Sequence, residues 1–126
     1  MPKLKMTRLK LTLTIATVAT AALAWSLPAV ATAAATTTVK VTAGQPSEFH
    51  FQLSTSSVTP GKVVFDVTNK GTISHDFKID GKQTPLIAPG KSAKLTVAFT
   101  KAGKYPYLCT VPGHAAAGMK GTLTVK

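Results

Sequence analysis

The sequence contains a single cysteine, Cys109, among its 126 residues. One thiol excludes a disulfide within the chain, and it also excludes a zinc site built from paired CxxC motifs. Hydrophobic residues make up 44% of the chain, and Gly and Pro occur at ordinary frequency, so neither a disordered nor a collagen-like chain fits. The length suits one small domain and excludes a multidomain enzyme.

Acidic residues are scarce, and arginine does not occur after Arg8. Four acidic residues stand against 15 lysines and arginines, which gives a net charge of +11. Such a balance indicates nucleic acid, an anionic surface or an acidic protein as partner. The lysines after the N-terminal segment are spread singly, without a basic run that carries interleaved aromatics, which argues against nucleic acid. We therefore expect acidic protein partners.

The N-terminal segment predicts a secretory signal peptide over residues 1–33. Four basic residues precede an apolar run from Leu11 to about Leu27, and A-x-A cleavage motifs follow at 29–31 and 31–33. An uncleaved anchor is the alternative, but the run is about 17 residues long and polar residues interrupt it, which is short for a membrane span. We expect export to the periplasm or the extracellular space, with no stable membrane insertion after cleavage.

The predicted mature domain, residues 34–126, alternates apolar and polar residues with a period of two. Eleven lysines against four acidic residues leave it with a net charge of +7. The alternation is typical of strands that bury one face, and turn signals rich in Gly and Pro separate the runs. The clearest runs are 39–43, 49–53, 63–67, 93–99 and 123–125. The pattern predicts an all-β Greek-key sandwich of about seven to eight strands.

The residues with metal-binding chemistry concentrate near the C-terminus. Cys109, His114 and Met119 follow one another with the spacing C-x4-H-x4-M on one loop between two predicted strands. His75 lies upstream, where a sandwich can bring it to the same loop from a neighbouring strand end. A thiolate, two imidazoles and a weak thioether are the ligands of a blue-copper site, because soft sulfur suits Cu(I) and imidazole accepts Cu(II).

The segments around these residues resemble the cupredoxins, the small blue-copper proteins that include plastocyanin and azurin. The resembling patterns are Asn69-x-Gly71-x-x-x-His75, Gly103-x-Tyr105-x-Tyr107-x-Cys109, His114, and Gly118-Met119-x-Gly121-x-Leu123-Thr124-Val125. The resemblance covers essentially the whole mature domain. It implies a Greek-key β-sandwich with one copper ion near one end, cycling between Cu(I) and Cu(II), and bound by His75, Cys109, His114 and, axially, Met119.

Two features depart from the commonest family pattern. Four residues separate Cys109 from His114, as in azurin and auracyanin, whereas plastocyanin-like proteins usually have two. Asp76 stands where these families commonly have Asn. By analogy, we expect the Asp76 carboxylate to meet the Thr110 hydroxyl. We also expect the backbone N–H groups of Asp76 and Val111 to point at the Cys109 sulfur, a contact that tunes a metal site.

The remaining histidine and the two tyrosines have simpler predicted roles. His50 alternates with Phe49 and Phe51, so we expect it to face solvent and not to bind metal. Tyr105 and Tyr107 are expected to pack in the core beneath the site.

The resemblance implies a monomeric, exported type 1 copper protein that carries one electron between transient, acidic redox partners and is not an enzyme. Copper enzymes with such domains need a second copper centre, and Leu108 replaces the histidine that would connect one. A copper-binding protein for storage, delivery or resistance is the alternative, and a structural sandwich without metal is a third interpretation.

The electron is expected to leave through His114. Its ring edge should emerge among small apolar side chains, and Pro85, Leu86 and Ile87 are expected to complete that patch.

Overall fold

The computed structural model describes residues 3, 12, 14–16, 24–30 and 35–126. The chain divides into two units, Met1–Ala31 and Thr32–Lys126. The predicted cleavage positions at 31–33 lie outside the described residues, as does most of the predicted signal peptide, so both stay predictions. Within the described ranges, the chain forms no helix with the length and apolar character that a membrane crossing requires.

The described part of Thr32–Lys126 contains nine β-strands, which confirms the all-β prediction. They are β1 (Thr36–Ala43), β2 (Phe51–Leu53), β3 (Ser57–Val58), β4 (Gly61–Asn69), β5 (Lys78–Ile79), β6 (Lys82–Gln83), β7 (Ser92–Phe99), β8 (Gly103–Leu108) and β9 (Lys120–Val125). The count exceeds the predicted seven to eight because several strands have only two or three residues, too short for an alternating pattern to register.

The strands form the two sheets of a sandwich. The first sheet has the order β2-β1-β4-β7, and the second has the order β3-β9-β8-β5-β6. In the first, β1 and β4 run parallel from Thr36 opposite Lys62 to Ala43 opposite Asn69. In the second, β8 and β9 are antiparallel. Because consecutive strands change sheets, several connections cross from one sheet to the other.

The pairing of β8 brings two of these connections to one end of the sandwich. Leu108, the last residue of β8, lies opposite Lys78 of β5 on one side and Lys120 of β9 on the other. Two segments therefore meet at the same end of this sheet. One is the segment 70–77, which leads into β5, and the other is the segment 109–119, which leads from β8 to β9. This register places the predicted ligand segments beside each other.

The core follows the predicted alternation. Val63, Phe65 and Val67 of β4 have no exposed surface, and Val39 and Val41 of β1 are buried beside them. Burial of side chains this size contributes roughly 1.5–3 kcal/mol each relative to exposure. The same alternation holds in β9, where Leu123 and Val125 are buried, so apolar burial fixes which face of each strand turns inward.

An aromatic cluster supports the end of the sandwich where the ligand segments meet. The Phe77 ring lies 5.2 Å from Phe65, 5.3 Å from Phe51 and 5.4 Å from Tyr107, measured between centroids. Tyr105 packs against Phe99 and donates its hydroxyl to the Lys101 carbonyl. Both tyrosines pack against the core and are partly buried, but only Tyr107 lies beneath the site as predicted. Since Phe77 follows His75 by two residues and Tyr107 precedes Cys109 by two, the cluster anchors both segments.

The predicted strand at 49–53 begins later than its pattern indicates. β2 starts at Phe51, whereas Phe49 lies in a turn and is 38% exposed. The connection between β1 and β2 is a loop whose two ends are joined by a hydrogen bond from the Gly44 N–H to the His50 carbonyl. The turn takes Phe49 out of the ladder despite its alternating position. His50 is exposed, as predicted.

Candidate metal centre

Asn69, at the end of β4, organises the segment that carries His75. Its side chain is fully buried. Its amide nitrogen donates to the carbonyls of Ile73 and Ile87, both at 2.8 Å, and its amide oxygen accepts the Gly71 N–H at 2.8 Å. A buried amide with its donors and acceptor paired specifies one loop conformation, because any other would leave costly unpaired groups.

His75 is held on both sides of its backbone. Its N–H and carbonyl pair with Ile87 across an isolated β-bridge, at 3.1 and 2.7 Å. Its side chain has no exposed surface. This backbone pairing and the burial of the side chain fix the imidazole at the end of the sandwich.

The second segment folds into a closed turn between β8 and β9. The Cys109 N–H donates to the Met119 carbonyl at 3.1 Å, and the Met119 N–H donates to the His114 carbonyl at 3.0 Å. The His114 N–H donates in turn to the Val111 carbonyl at 3.1 Å. These bonds link the backbones of all three candidate ligands, so the turn holds them close together in one compact segment.

Three of the four sequence-predicted ligands converge. One potential ligand atom from each of His75, Cys109 and His114 lies within 4.8 Å of the others. The Nδ1 atoms of the two histidines are 3.1 Å apart, and the Cys109 sulfur is 3.5 Å from His114 Nδ1. Met119 is fully buried, and it follows Cys109 and His114 on the same segment of the chain. Its role as the axial ligand stays a prediction.

The environment of Cys109 is apolar, but two backbone donors face its sulfur. Burial raises the pKa of the thiol, and the backbone N–H groups of Asp76 and Val111 lower it. These donors stabilise the thiolate that a metal requires. This effect on the pKa agrees with the N–H contacts predicted at Asp76 and Val111.

His114 is suited to bind a metal because it stays neutral. Burial lowers its pKa, and the neighbouring His75 lowers it further. A ring nitrogen binds metal only when it is deprotonated, so a histidine that resists protonation loses little affinity to competing protons. His50 lies outside this group, as predicted.

Asp76 ties the two ligand segments together. One carboxylate oxygen accepts the Thr110 N–H at 2.6 Å, and the other is hydrogen-bonded to the Thr110 hydroxyl. The contact with Thr110 confirms the sequence prediction. Gln83 of β6 was not foreseen: its side-chain nitrogen donates to Asp76 at 2.8 Å and to the Thr110 hydroxyl at 3.0 Å.

Glu48 is a second carboxylate that sequence reasoning missed. It lies between β1 and β2, and its Oε1 is 2.8 Å from His75 Nε2. Hydrogen bonds from the backbone N–H and hydroxyl of Thr72, and from His75, lower the pKa of Glu48 to about 2. The contact between Glu48 and His75 joins residues far apart in sequence, so no local pattern predicts it. The one signal in the sequence is that Glu48 is one of only four acidic residues in the whole chain.

The surface over His114 differs in part from the prediction. His114 retains 8% of its surface, and Phe49 packs edge-on against its ring at 5.0 Å between centroids. Pro85 and Leu86 are exposed, but Ile87 is 3% exposed and does not belong to the surface. Ile87 turns inward because its backbone pairs with His75, so the predicted patch loses Ile87.

The donor set fits copper better than other common metals. A thiolate with two buried imidazoles suits an ion that accepts both soft sulfur and nitrogen in two oxidation states. The ring nitrogens and the sulfur lie within 4.8 Å of one another, and among the described residues no acidic residue belongs to this group. Oxygen-preferring cations such as Mg²⁺ or Ca²⁺ therefore find no suitable ligands at this point.

Comparison with known proteins agrees with this chemistry. The family model for copper-binding proteins of the plastocyanin/azurin family matches residues 15–126. The copper-resistant cuproprotein CopI of Pseudomonas aeruginosa is 51% identical over 50 residues, which cover 40% of this chain and 28% of CopI. Auracyanin-B of Chloroflexus aurantiacus is 50% identical over 42 residues, which cover 33% of this chain and 18% of auracyanin-B. The chain thus spans less than a third of the length of these curated relatives.

The fold also matches a solved structure. Rusticyanin from Thiobacillus ferrooxidans superposes with a TM-score of 0.62 and 27% sequence identity, over 72% of this chain and 77% of rusticyanin.

We predict that Asp76→Asn raises the reduction potential of the copper-loaded protein at neutral pH. An ionised carboxylate stabilises the more positive oxidised site, so its removal favours Cu(I). The expected rise is a few tens of millivolts, where about 59 mV corresponds to a tenfold change for one electron. Voltammetry measures it, with Asp66→Asn on β4 as the control of equal charge change. A potential that falls or does not move would show that the Asp76 charge does not act on the metal.

Proposed function

Because the chain belongs to the plastocyanin/azurin family of copper-binding proteins, we propose that it is an exported type 1 copper protein that carries single electrons between redox partners. The proposed ligands are His75, Cys109 and His114, with Met119 in the axial position. Bound copper supplies the redox chemistry by alternating between Cu(I) and Cu(II). The protein's own residues supply the geometry, the shielding and the route to the surface.

The observation that carries this proposal is the buried convergence of His75, Cys109 and His114. Their potential ligand atoms lie within 4.8 Å of one another, and all three side chains are buried. Backbone hydrogen bonds and the Asp76–Thr110 contact hold both ligand segments. A site fixed in this way rearranges little when its charge changes, and little rearrangement favours fast electron transfer.

The proposed exit is the exposed edge of His114. Among the three converging residues, His114 has the largest remaining exposure, 8%, while His75 and Cys109 have at most 1%. The surroundings include the ring of Phe49 and exposed Ala116. A small apolar surface suits a transient complex, because it allows close approach with little desolvation and still permits dissociation.

The proposed partners are acidic redox proteins, met by a monomer. The excess of lysines over acidic residues in the predicted mature domain attracts a negative surface and raises the rate of encounter more than the lasting affinity. No catalysis by this domain is proposed, because Leu108 occupies the position next to Cys109 and His50 lies exposed outside the converging group.

Copper resistance, storage or delivery is the second candidate function. The match to the copper-resistant cuproprotein CopI, at 51% identity over 50 residues, favours it. The same ligands would then retain copper without a redox circuit.

An absorption spectrum after Cu(II) addition tests the proposed electron carrier. A type 1 site gives an intense visible band from thiolate-to-copper charge transfer, and a reversible potential with fast electron transfer should accompany it. A weak, ordinary Cu(II) spectrum would favour the copper-handling function. Loss of copper tolerance on gene deletion, with respiration unchanged, would favour that function as well.

We predict that Cys109→Ser abolishes the intense colour while the β-sandwich remains. The thiolate alone among the proposed ligands gives strong covalency with copper. Visible absorption of the Cu(II) form measures the colour, and far-UV circular dichroism serves as the control for folding. A folded variant that stays intensely blue would refute the assignment of Cys109.

We predict that Met119→Leu keeps the colour and raises the reduction potential. Removal of a weak axial donor disfavours Cu(II) more than Cu(I). Leu has nearly the volume of Met, so the core should tolerate it at a cost below about 1.5 kcal/mol. Voltammetry and thermal unfolding separate the two effects. An unchanged potential would identify Met119 as a core residue and not a ligand.

We predict that Ala116→Asp slows electron transfer to the physiological partner tenfold or more, about 1.4 kcal/mol in docking, with the visible spectrum almost unchanged. A charge on the proposed exit surface is costly to desolvate and repels an acidic partner. Ala102→Asp, an exposed site beyond the opposite end of β8, is the matched control. Stopped-flow kinetics should also show slower wild-type association at high salt. Equal rates for the two variants would place the exit elsewhere.

A further inference from the structure

The carboxylate of Glu48 is enclosed by donors from one loop. Its Oε2 accepts the Thr72 N–H at 2.9 Å and the Thr72 hydroxyl at 2.8 Å, while Oε1 faces the Ile73 N–H at 3.3 Å. Oε1 also faces the Thr72 N–H at 3.1 Å and lies 2.8 Å from His75 Nε2. Both oxygens thus accept hydrogen bonds, and the side chain remains only 26% exposed.

This contact determines which ring nitrogen of His75 carries a proton. A carboxylate that already accepts several N–H and O–H bonds acts as an acceptor, so Nε2 must donate to it. A neutral imidazole has only one proton, which leaves Nδ1 with its free lone pair. Nδ1 is the atom that faces His114 Nδ1 at 3.1 Å. The carboxylate therefore directs the metal-binding nitrogen of His75 toward the other ligands.

The backbone beside His75 leaves room for this carboxylate. A Cβ atom at Gly71 would overlap Glu48 Oε1 and would lie 2.9 Å from His75 Nε2. Gly71 also packs directly against Gly44, which has a φ of 80°, so the β1–β2 connection that carries Glu48 lies against the His75 loop. Gly44 is needed because the Gly71 backbone leaves no room for a side chain, and Gly71 is needed because the Glu48 carboxylate and the His75 ring occupy that space.

The loop does not depend on Glu48 for its shape. Asn69 independently bonds Gly71, Ile73 and Ile87, and the backbone of His75 pairs with Ile87. Within the part of the chain that the structure describes, Glu48 is the only side chain hydrogen-bonded to Nε2 of His75. Its loss should therefore alter the ring more than the fold.

We propose that Glu48 is the positioning residue for His75: its carboxylate holds the Nε2 proton and the ring orientation, and its negative charge favours the oxidised metal. The inference rests on the proposed copper site. Carboxylates that hold the far nitrogen of a metal-binding histidine fix the ring and raise its basicity, and their loss typically costs 10–100-fold in metal affinity. The Glu48 carboxylate therefore has two separable effects, one from its charge and one from its hydrogen bond.

Two variants separate these effects in the copper-loaded full chain. Glu48→Gln keeps a carbonyl oxygen that can accept from His75 but removes the charge, whereas Glu48→Ala removes both. Asp66→Asn is the charge-matched control, because Asp66 pairs with exposed Lys94 away from the site. Reduction potential, Cu(I) affinity by competition with a chelator, and ¹⁵N NMR of the His75 ring in the diamagnetic Cu(I) form are measured for each.

We expect Glu48→Gln to shift the Cu(I)/Cu(II) preference about tenfold toward Cu(I), a rise of about 59 mV, with Cu(I) affinity within about twofold of wild type and the Nε2–H signal retained. Glu48→Ala should in addition weaken Cu(I) binding about tenfold and lose the protected Nε2–H signal. Asp66→Asn should match wild type.

The inference is overturned if Glu48→Ala keeps the wild-type potential, Cu(I) affinity and ring signals. It is also overturned if Asp66→Asn shifts the potential as much as Glu48→Gln, since the charge would then act without specific contact. Failure of the proposed function gives a different result, because wild type itself would then lack the intense Cu(II) band. In that case, ¹⁵N NMR of the metal-free full chain still decides whether Glu48 sets the His75 tautomer.

Discussion

The hydrogen bonds between Asp76 and Thr110 join two segments that the chain builds separately. One segment follows β4 of the first sheet, and the other leaves β8 of the second. Without this contact, the pairing of β5 with β8 would bring the two segments to the same end of the sandwich but would not tie their ligand-bearing residues together. Asp76 is 4% exposed and accepts both the N–H and the hydroxyl of Thr110, so a separation of the segments would leave this carboxylate with only the Gln83 amide as a partner. That penalty makes the geometry of the site depend on this contact.

Acidic side chains lie beside the ligand segments although the predicted mature domain has a net positive charge. Lysines are spread over the predicted mature domain, yet Glu48 and Asp76, two of its four acidic residues, lie beside the ligand segments. Each accepts hydrogen bonds from backbone N–H groups, and for Glu48 these bonds lower the pKa. The backbone donors at the Cys109 sulfur act in the opposite direction on a bound metal, because they withdraw electron density from the thiolate. The balance between these two effects is set by a few groups within hydrogen-bond distance of the ligands.

Packing links this balance to the core. Phe77 and Tyr107 are each two residues from a predicted ligand, and their rings pack against each other beneath the site. His75, Phe77 and Cys109 are themselves buried, so the core continues directly into the ligand segments. The site is therefore an extension of the hydrophobic core, and its rigidity follows from close packing.

The sequence by itself predicted the fold class and the four candidate ligands. Strand alternation is local and is read directly, while Cys109, His114 and Met119 lie on one short segment whose spacing carries the chemistry. The Asp76 contact came from resemblance, because a contact across a long separation has no local signal. Only the tertiary structure decided the short strands, the exposed turn at Phe49, the inward position of Ile87 and the contacts of Glu48 and Gln83. Each depends on which backbones meet at one end of the sandwich, and that meeting is fixed by strand register and by the close approach of Gly44 to Gly71.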